Sequence, residues 1–212
     1  MSVVASLSSA PPRKFQFVGG ELCLDFCNTV GGKREGVARE CLNRYEDFVS
    51  WSEQAGLIEN SCLESRLRRA ARRPAEAVEV LHRSVKLRES IYCILLALRN
   101  HKRPSEKDLA VLNSELSHSQ NRLQVAAKKE GFDWEWREGR NALDDPLGPI
   151  ARSAAELLTS SDALTHLRQC QGDNCGWLFL DSSKNHSRCW CDMRDCGNRA
   201  KVRRHRLKHK KT

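Results

Sequence analysis

The 212-residue chain is 40% hydrophobic and 30% charged, and its 36 Lys plus Arg outnumber 27 Asp plus Glu for a net charge of +9. This is the composition of a soluble globular chain, long enough for one hydrophobic core and a small appendage, with no apolar run near the ~20 residues that cross a bilayer. The first residues lack the charged start and long apolar stretch of an export signal, so the ten cysteines are expected in a reduced cytoplasm, as core residues or metal-bound thiolates, and not in a disulfide scaffold.

In chain order, residues 1–14 read as a disordered leader and 15–160 as a helical domain. Asn43 with Glu46 has the form of a cap and its partner three residues on, and Leu42, Tyr45, Phe48, Val49, Ser52 and Ala55 recur at helical spacing until Gly56. Ser61 with Glu64 repeats the pattern for a short basic helix. Pro74 suits a first helical position, and Ala77, Val80, Leu81, Val85, Ile91, Ile94, Leu95 and Leu98 stripe the longest helix, expected to end near His101. Ser105 with Asp108 opens another. Period-two patterning at Leu123–Val125 and Phe132–Trp136, joined by Lys128–Gly131, predicts a hairpin with Phe132, Trp134 and Trp136 on one core-facing side. Asp145-Pro146 starts a last helix through Leu158, and 159–162 is the expected joint. The fold class is therefore mainly α with a small β-hairpin (α+β): a helical N-terminal domain plus a small four-cysteine zinc finger over 165–212.

Cys170 and Cys175, then Cys191 and Cys196, form two C-x4-C pairs fifteen residues apart. A segment of this size buries too little apolar surface to fold alone, and four thiolates close a tetrahedral zinc site with no position left for water or substrate. One structural Zn2+ is the expected cofactor. Cys189, two residues before Cys191, is a fifth thiol outside the two pairs and reads as a solvent-facing spectator. His205 and His209 stand at i, i+4, but amid Arg and Lys they read as part of a basic face.

The charge is unevenly placed. From Arg168 onward twelve basic residues meet four acidic ones, while the rest of the chain holds 24 and 23. A single-signed terminal segment on a neutral body is the footprint of a polyanion partner. Beyond Cys196, Arg199, Lys201, Arg203, Arg204, Arg206 and Lys208 are the candidate nucleic-acid contacts, and as a helix they put Arg199, Arg203 and Arg206 on one ridge, with Lys210 a turn further on.

The words around the cysteines, Cys175-Gly-Trp-Leu-Phe-Leu-Asp181, Trp190-Cys191 and Cys196-Gly197-Asn198-Arg199, closely resemble the CGNR zinc finger of bacterial transcription regulators. In such proteins the finger follows an ABATE domain, and Phe17-Val-Gly-Gly-Glu-Leu-Cys-Leu-Asp25-Phe-Cys-Asn28-Thr29 is similar to the start of that domain. The resemblance implies a stress-responsive regulator of transcription, without naming an effector or an operator.

Asp25, Asn28 and Thr29, embedded in an apolar stretch, read either as caps and backbone ties or, with Trp134, as an effector pocket. Cys23 and Cys27 read as small core residues. No nucleophile, base and orienting group occur together and no Gly-rich phosphate loop precedes a helix, so an enzyme is not expected. The expected partner is double-stranded DNA, met in the cytoplasm at the nucleoid, with a small-molecule effector or a homodimer as the business of the N-terminal domain and no membrane. The alternative is an RNA-binding or ribosome-associated zinc protein, since phosphate contacts carry no sequence information.

Overall fold

A computed structural model describes residues 13–136 and 142–209. The helical body begins with α1 (Leu22–Cys27), followed by a ribbon of β1 (Val30–Gly31) and β2 (Arg39–Glu40), then α2 (Tyr45–Gln54), α3 (Asn60–Arg72), α4 (Pro74–Arg99) and α5 (Glu106–Gln120). The hairpin β3 (Leu123–Lys128) and β4 (Gly131–Trp136) precedes α6 (Leu147–Thr159), and a single turn, α7 (Ser161–Thr165), leads out of the body. Beyond it lie the antiparallel pair β5 (Leu167–Gln169) and β6 (Leu178–Leu180), a π-turn over Met193–Gly197 and α8 (Asn198–His209).

The long α4, started by Pro74, packs against α1, α2, α3, α5 and α6. Leu87, Ile91, Ile94 and Leu95 are fully or almost fully enclosed, and Phe26, Phe48 and Trp51 complete the centre, with the Phe26 and Trp51 rings 4.8 Å apart. Cys23 and Cys27 belong to this core. Burial pushes both thiols up, Cys23 to about 12, so they are neutral packing groups.

Arg88, 2% exposed, is a charge among the enclosed side chains of the body. It donates to both carboxylate oxygens of Glu40 at 2.7 Å, to Glu89 at 2.8 Å and to Thr29 Oγ1 at 3.1 Å. A buried guanidinium is tolerated only when its donors are met in this way.

Helix starts differ from the sequence expectation where an apolar requirement shifts them. Tyr45 is buried and opens α2, which moves the third position to Asp47; its Oδ2 accepts from the Asn43 and Arg44 amides at 2.9 and 3.0 Å, in place of the expected Asn43–Glu46 pair. For α3 the cap is Glu59, two residues before Ser61. Ser105 caps α5 as expected, Oγ accepting from the Lys107 amide at 3.2 Å. Asp145 does not cap α6 but pairs with Arg66 and Arg122.

The hairpin forms as expected, with Val125 opposite Trp134 and Leu123 opposite Trp136. Its base packs on the body, where Trp136 closes over Gly148 of α6. Phe132 and Trp134 are 80% and 53% exposed, not core, because the outer part of the hairpin lies beyond the buried cluster; the Arg152 guanidinium lies 4.9 Å from the Trp134 ring. Of the expected leader, residues 1–12 lie outside the described residues. Arg13 is tied down, donating to Cys41 Sγ at 3.0 Å and accepting from Gln54 at 2.9 Å. The expected joint is itself folded, Ser160 Oγ capping α7 through the Ala163 amide.

Candidate metal centre and its seat on the body

Strand alternation gives β6 two faces. Leu178 joins the body's core, with Leu180 packed against it, while Phe179 between them turns the other way, into a cluster with Cys170, Cys175, Cys191 and Cys196. The β5–β6 pair delivers the first cysteine couple, and Gly172 permits its tight turn, since a Cβ there would lie 3.1 Å from Cys196 Sγ and 3.2 Å from Cys175 Cβ. In the second couple Cys191 precedes the π-turn and Cys196 lies within it, and at its start Asp192 Oδ1 accepts from the Arg194 amide at 2.7 Å.

All four sulfurs are buried and lie within 4.8 Å of one another. Cys175 and Cys191 are 3.8 Å apart and Cys191 and Cys196 3.6 Å; a tetrahedron with metal–sulfur bonds of about 2.3 Å has edges of about 3.8 Å. Backbone amides of Gly172 and Cys191 point at Cys170 Sγ at 3.4 and 3.3 Å, and Arg199 Nη2 reaches Cys196 Sγ at 3.0 Å. Donors aimed at sulfur favour thiolates. Hydrogen bonds from the Cys175 and Cys191 thiols push Cys170 down, and the same bond to Cys170 pushes Cys175 up. Four sulfurs this close cannot all ionise on their own, and a divalent cation at their centre removes that conflict. The donor set therefore fits one structural zinc ion held by Cys170, Cys175, Cys191 and Cys196. Cys189 stands outside the cluster, half-buried, its sulfur 3.3 Å from the Ser187 carbonyl.

Asp181, 1% exposed, organises the loop between the two couples. It accepts from the Ser183 amide and hydroxyl at 3.0 and 2.6 Å and from the Arg188 amide at 2.9 Å. Arg188 lies over the Phe179 ring at 4.3 Å and donates to the Trp190, Cys191 and Val18 carbonyls, joining the loop, the metal cluster and the body.

Asn28 and the finger meet in a reciprocal pair: Asn28 Nδ2 donates to the Leu178 carbonyl at 2.9 Å and Oδ1 accepts from the Leu178 amide at 3.0 Å. Trp177 Nε1 donates to Val30 O at 2.8 Å, the Gly176 amide to Gly32 O at 3.2 Å, and Tyr92 OH to the Gly176 carbonyl at 3.1 Å. The Leu180 amide donates to Gly19 O at 2.8 Å, and Gly19 in turn donates to Asp25 Oδ1 at 2.8 Å. The segment from Phe17 to Thr29 and the segment from Cys175 to Asp181 are thus two halves of one interface. Thr29 accepts from Arg88 and donates to the Phe26 carbonyl. Asp25, Asn28 and Thr29 are buried and bonded within the protein, and Trp134 lies out on the hairpin; the structure brings the first three together and not the fourth, and none of the four lines the three grooves around the root of α8 or the two beside Trp136.

The model of the ABATE family, described as "Putative stress-induced transcription regulator", matches residues 20–161, and that of the CGNR zinc finger matches residues 166–209. The chain belongs to the ABATE family. No curated protein matches it. Among the described residues no helix of this ABATE protein is long and apolar enough to cross a membrane.

The CGNR tetrad itself occupies the passage from metal to helix: Cys196 is a ligand, Gly197 lies under the Met193 side chain, Asn198 donates to the Arg194 carbonyl at 3.1 Å, and Arg199 holds the Cys196 sulfur. From there α8 projects with residues 201–207 all exposed. The expected contact residues divide. Arg199 is engaged by Cys196 and by Asp195 at 3.3 Å, and Arg203 pairs with Asp173. Lys201, Arg204 and Arg206 make no ion pair among the described residues. Lys208 lies on α8 with its side chain outside the described set, as is all of Lys210. His205 and His209 face each other, Nε2 to Nε2 at 3.1 Å. Sequence reasoning missed as parts of the interface Tyr92, Gly176 and Gln169, whose Nε2 donates to Tyr92 OH at 3.1 Å; the signal available was the phase of Leu178-Phe179-Leu180, which requires a second surface opposite the metal.

Proposed function

We propose that the protein is a zinc-finger DNA-binding transcription regulator in which α8 meets the duplex and the helical body holds α8 in place. One observation carries the reading: a twelve-residue helix, with no acidic residue, stands on a closed metal site with its residues 201–207 exposed all round. An isolated helix of that length is marginal in water and is maintained here by its root in the π-turn. Its width suits a major groove, and Lys201, Arg204 and Arg206 supply uncommitted positive charge for phosphate. The four-sulfur site leaves no open coordination position, so the metal's part is structural and the reading requires no catalysis. In this reading an effector or a second copy of the chain acts on DNA binding only by altering the contacts that seat the finger, of which the Asn28–Leu178 pair is the most enclosed.

The test is titration of the zinc-loaded full chain with duplex DNA at several salt concentrations, beside a variant with Lys201, Arg204 and Arg206 changed to Ala. The variant should bind orders of magnitude more weakly at low salt, and the slope of log affinity against log salt should fall by about 0.9 for each phosphate no longer neutralised. An unchanged slope contradicts the role of α8; displacement by RNA in preference to duplex DNA contradicts the assignment to DNA.

A further inference from the structure

The ribbon β1–β2 has two residues per strand and contributes only Val30 to the body's buried side chains, yet its turn is pressed against the finger. Gly32, at φ +87°, brings the turn back so that its carbonyl meets the Gly176 amide, and a Cβ on Gly176 would lie 3.4 Å from Lys33 Cα. Within the turn, Arg34 points inward: its Nε is 2.7 Å from Glu89 and its guanidinium lies 3.5 Å over the Tyr92 ring. Arg39 does the opposite. It stands across from Gly31 in the ribbon, is exposed, and has no acidic partner among the described residues. With Gln16, Asn174 and Arg199 it walls a groove of about 400 Å³ that opens beside the thiolates, at the root of α8.

Electrostatics selects the occupant of that groove. Four thiolates around one Zn2+ carry a formal charge of about −2, and Asp195 adds another negative group on the same wall. A phosphate approaching the root of α8 is repelled unless cations offset these charges. Arg199 is already committed to Cys196 and Asp195. Arg39 on the groove wall and the exposed Lys33 at the turn supply the offset from the body's side.

Resting on the DNA-binding reading above, we infer that Lys33 and Arg39 of the β1–β2 ribbon form a second phosphate-binding element, gripping the DNA backbone beside the groove that α8 enters. Val30 O and Gly32 O are bonded to Trp177 and Gly176, so the spacing between the ribbon and α8 is fixed before DNA arrives, and little ordering cost falls on binding. The interface then spans both domains, and the body becomes part of the reader.

The experiment uses the zinc-loaded full chain and a short random-sequence duplex, with affinity followed by fluorescence anisotropy over a range of salt. Lys33→Ala with Arg39→Ala should weaken binding several-fold at low salt and lower the log–log salt slope by about 0.9 per phosphate, so by about 1.8 in all. Arg39→Lys on the Lys33→Ala background should return about half of that slope difference, because a phosphate contact needs charge and not a particular fork. An unchanged slope in the double variant, alongside weakened binding by the α8 variant, overturns the ribbon's role and leaves the DNA-binding reading standing. A slope unchanged in both variants removes the reading and the inference together. Weakened binding that tracks a lowered melting temperature and is not returned by Arg39→Lys marks the ribbon as structural and also overturns the proposal.

Discussion

The body and the finger bury their interiors by different means. The body's cluster runs from Cys23 through Leu157 and takes in Leu167 and Leu178 from the finger's own strands, whereas the cluster belonging to the finger consists of Phe179 and four cysteines, with Val18, Trp177 and Trp190 at its edge. Apolar burial at about 25 cal/mol per Å² accounts for the first. One phenylalanine cannot account for the second, so metal ligation must. Between them, β6 belongs to both interiors at once, Leu178 and Leu180 on one side and Phe179 on the other. A finger is usually pictured as a module on a string; here its inner layer is held by the body and its outer layer by the metal.

The sharpest way to break that division is to remove the tie that crosses it. Asn28→Ala leaves the buried Leu178 amide and carbonyl without partners, at about 1–3 kcal/mol for each orphaned group. Chemical denaturation of the full chain should show a decrease of about 2–6 kcal/mol while one equivalent of zinc stays bound. Loss of zinc along with stability would mean that the inner layer and the metal layer are one unit.

A smaller effect sharpens the same boundary from the body's side. Burial raises the Asp25 carboxyl from 3.8 to about 6, against the hydrogen bonds from the Gly19 and Val18 amides that lower it. The folded state therefore binds this proton more tightly than the unfolded chain does. The stability that the proton contributes is complete below about pH 4 and is lost as pH rises through about 6. Asp25→Asn keeps an acceptor for Gly19 without the charge, so at pH 7 the variant should be more stable by about 2–3 kcal/mol, with the difference vanishing near pH 4. Melting curves of both proteins from pH 4 to pH 7 measure it, and a constant difference across that range would refute the buried-charge explanation.

Much of this arrangement was legible in the residues. Paired C-x4-C spacing located the metal site, Pro74 and the stripe through Leu98 placed the long helix, and Ser105 placed the start of α5, because each is a local signal read over one or two turns. What was not legible depended on distant partners. Asn28 looks equally like a cap, a backbone tie or a pocket residue until Leu178 is seen opposite, 150 positions along the chain. Phe132 and Trp134 alternate like core residues, but alternation reports only that a strand has two faces, not whether anything covers them. Arg199 and Arg203 lie on the basic ridge as expected, yet Cys196 and Asp173 hold them, and a helical wheel shows neither.

The division between a body-held inner layer and a metal-held outer layer is tested most directly by amide hydrogen exchange of the full chain before and after chelation of zinc. With metal removed, the amides from Gly172 to Cys175 and from Cys191 through α8 should exchange at rates near those of an unfolded chain, while the Leu178 amide, held by Asn28, and the Leu180 amide, held by Gly19, should keep most of their protection along with α4. Loss of protection at Leu178 and Leu180 together with the cysteine loops, or a finger that stays protected throughout without metal, would contradict it.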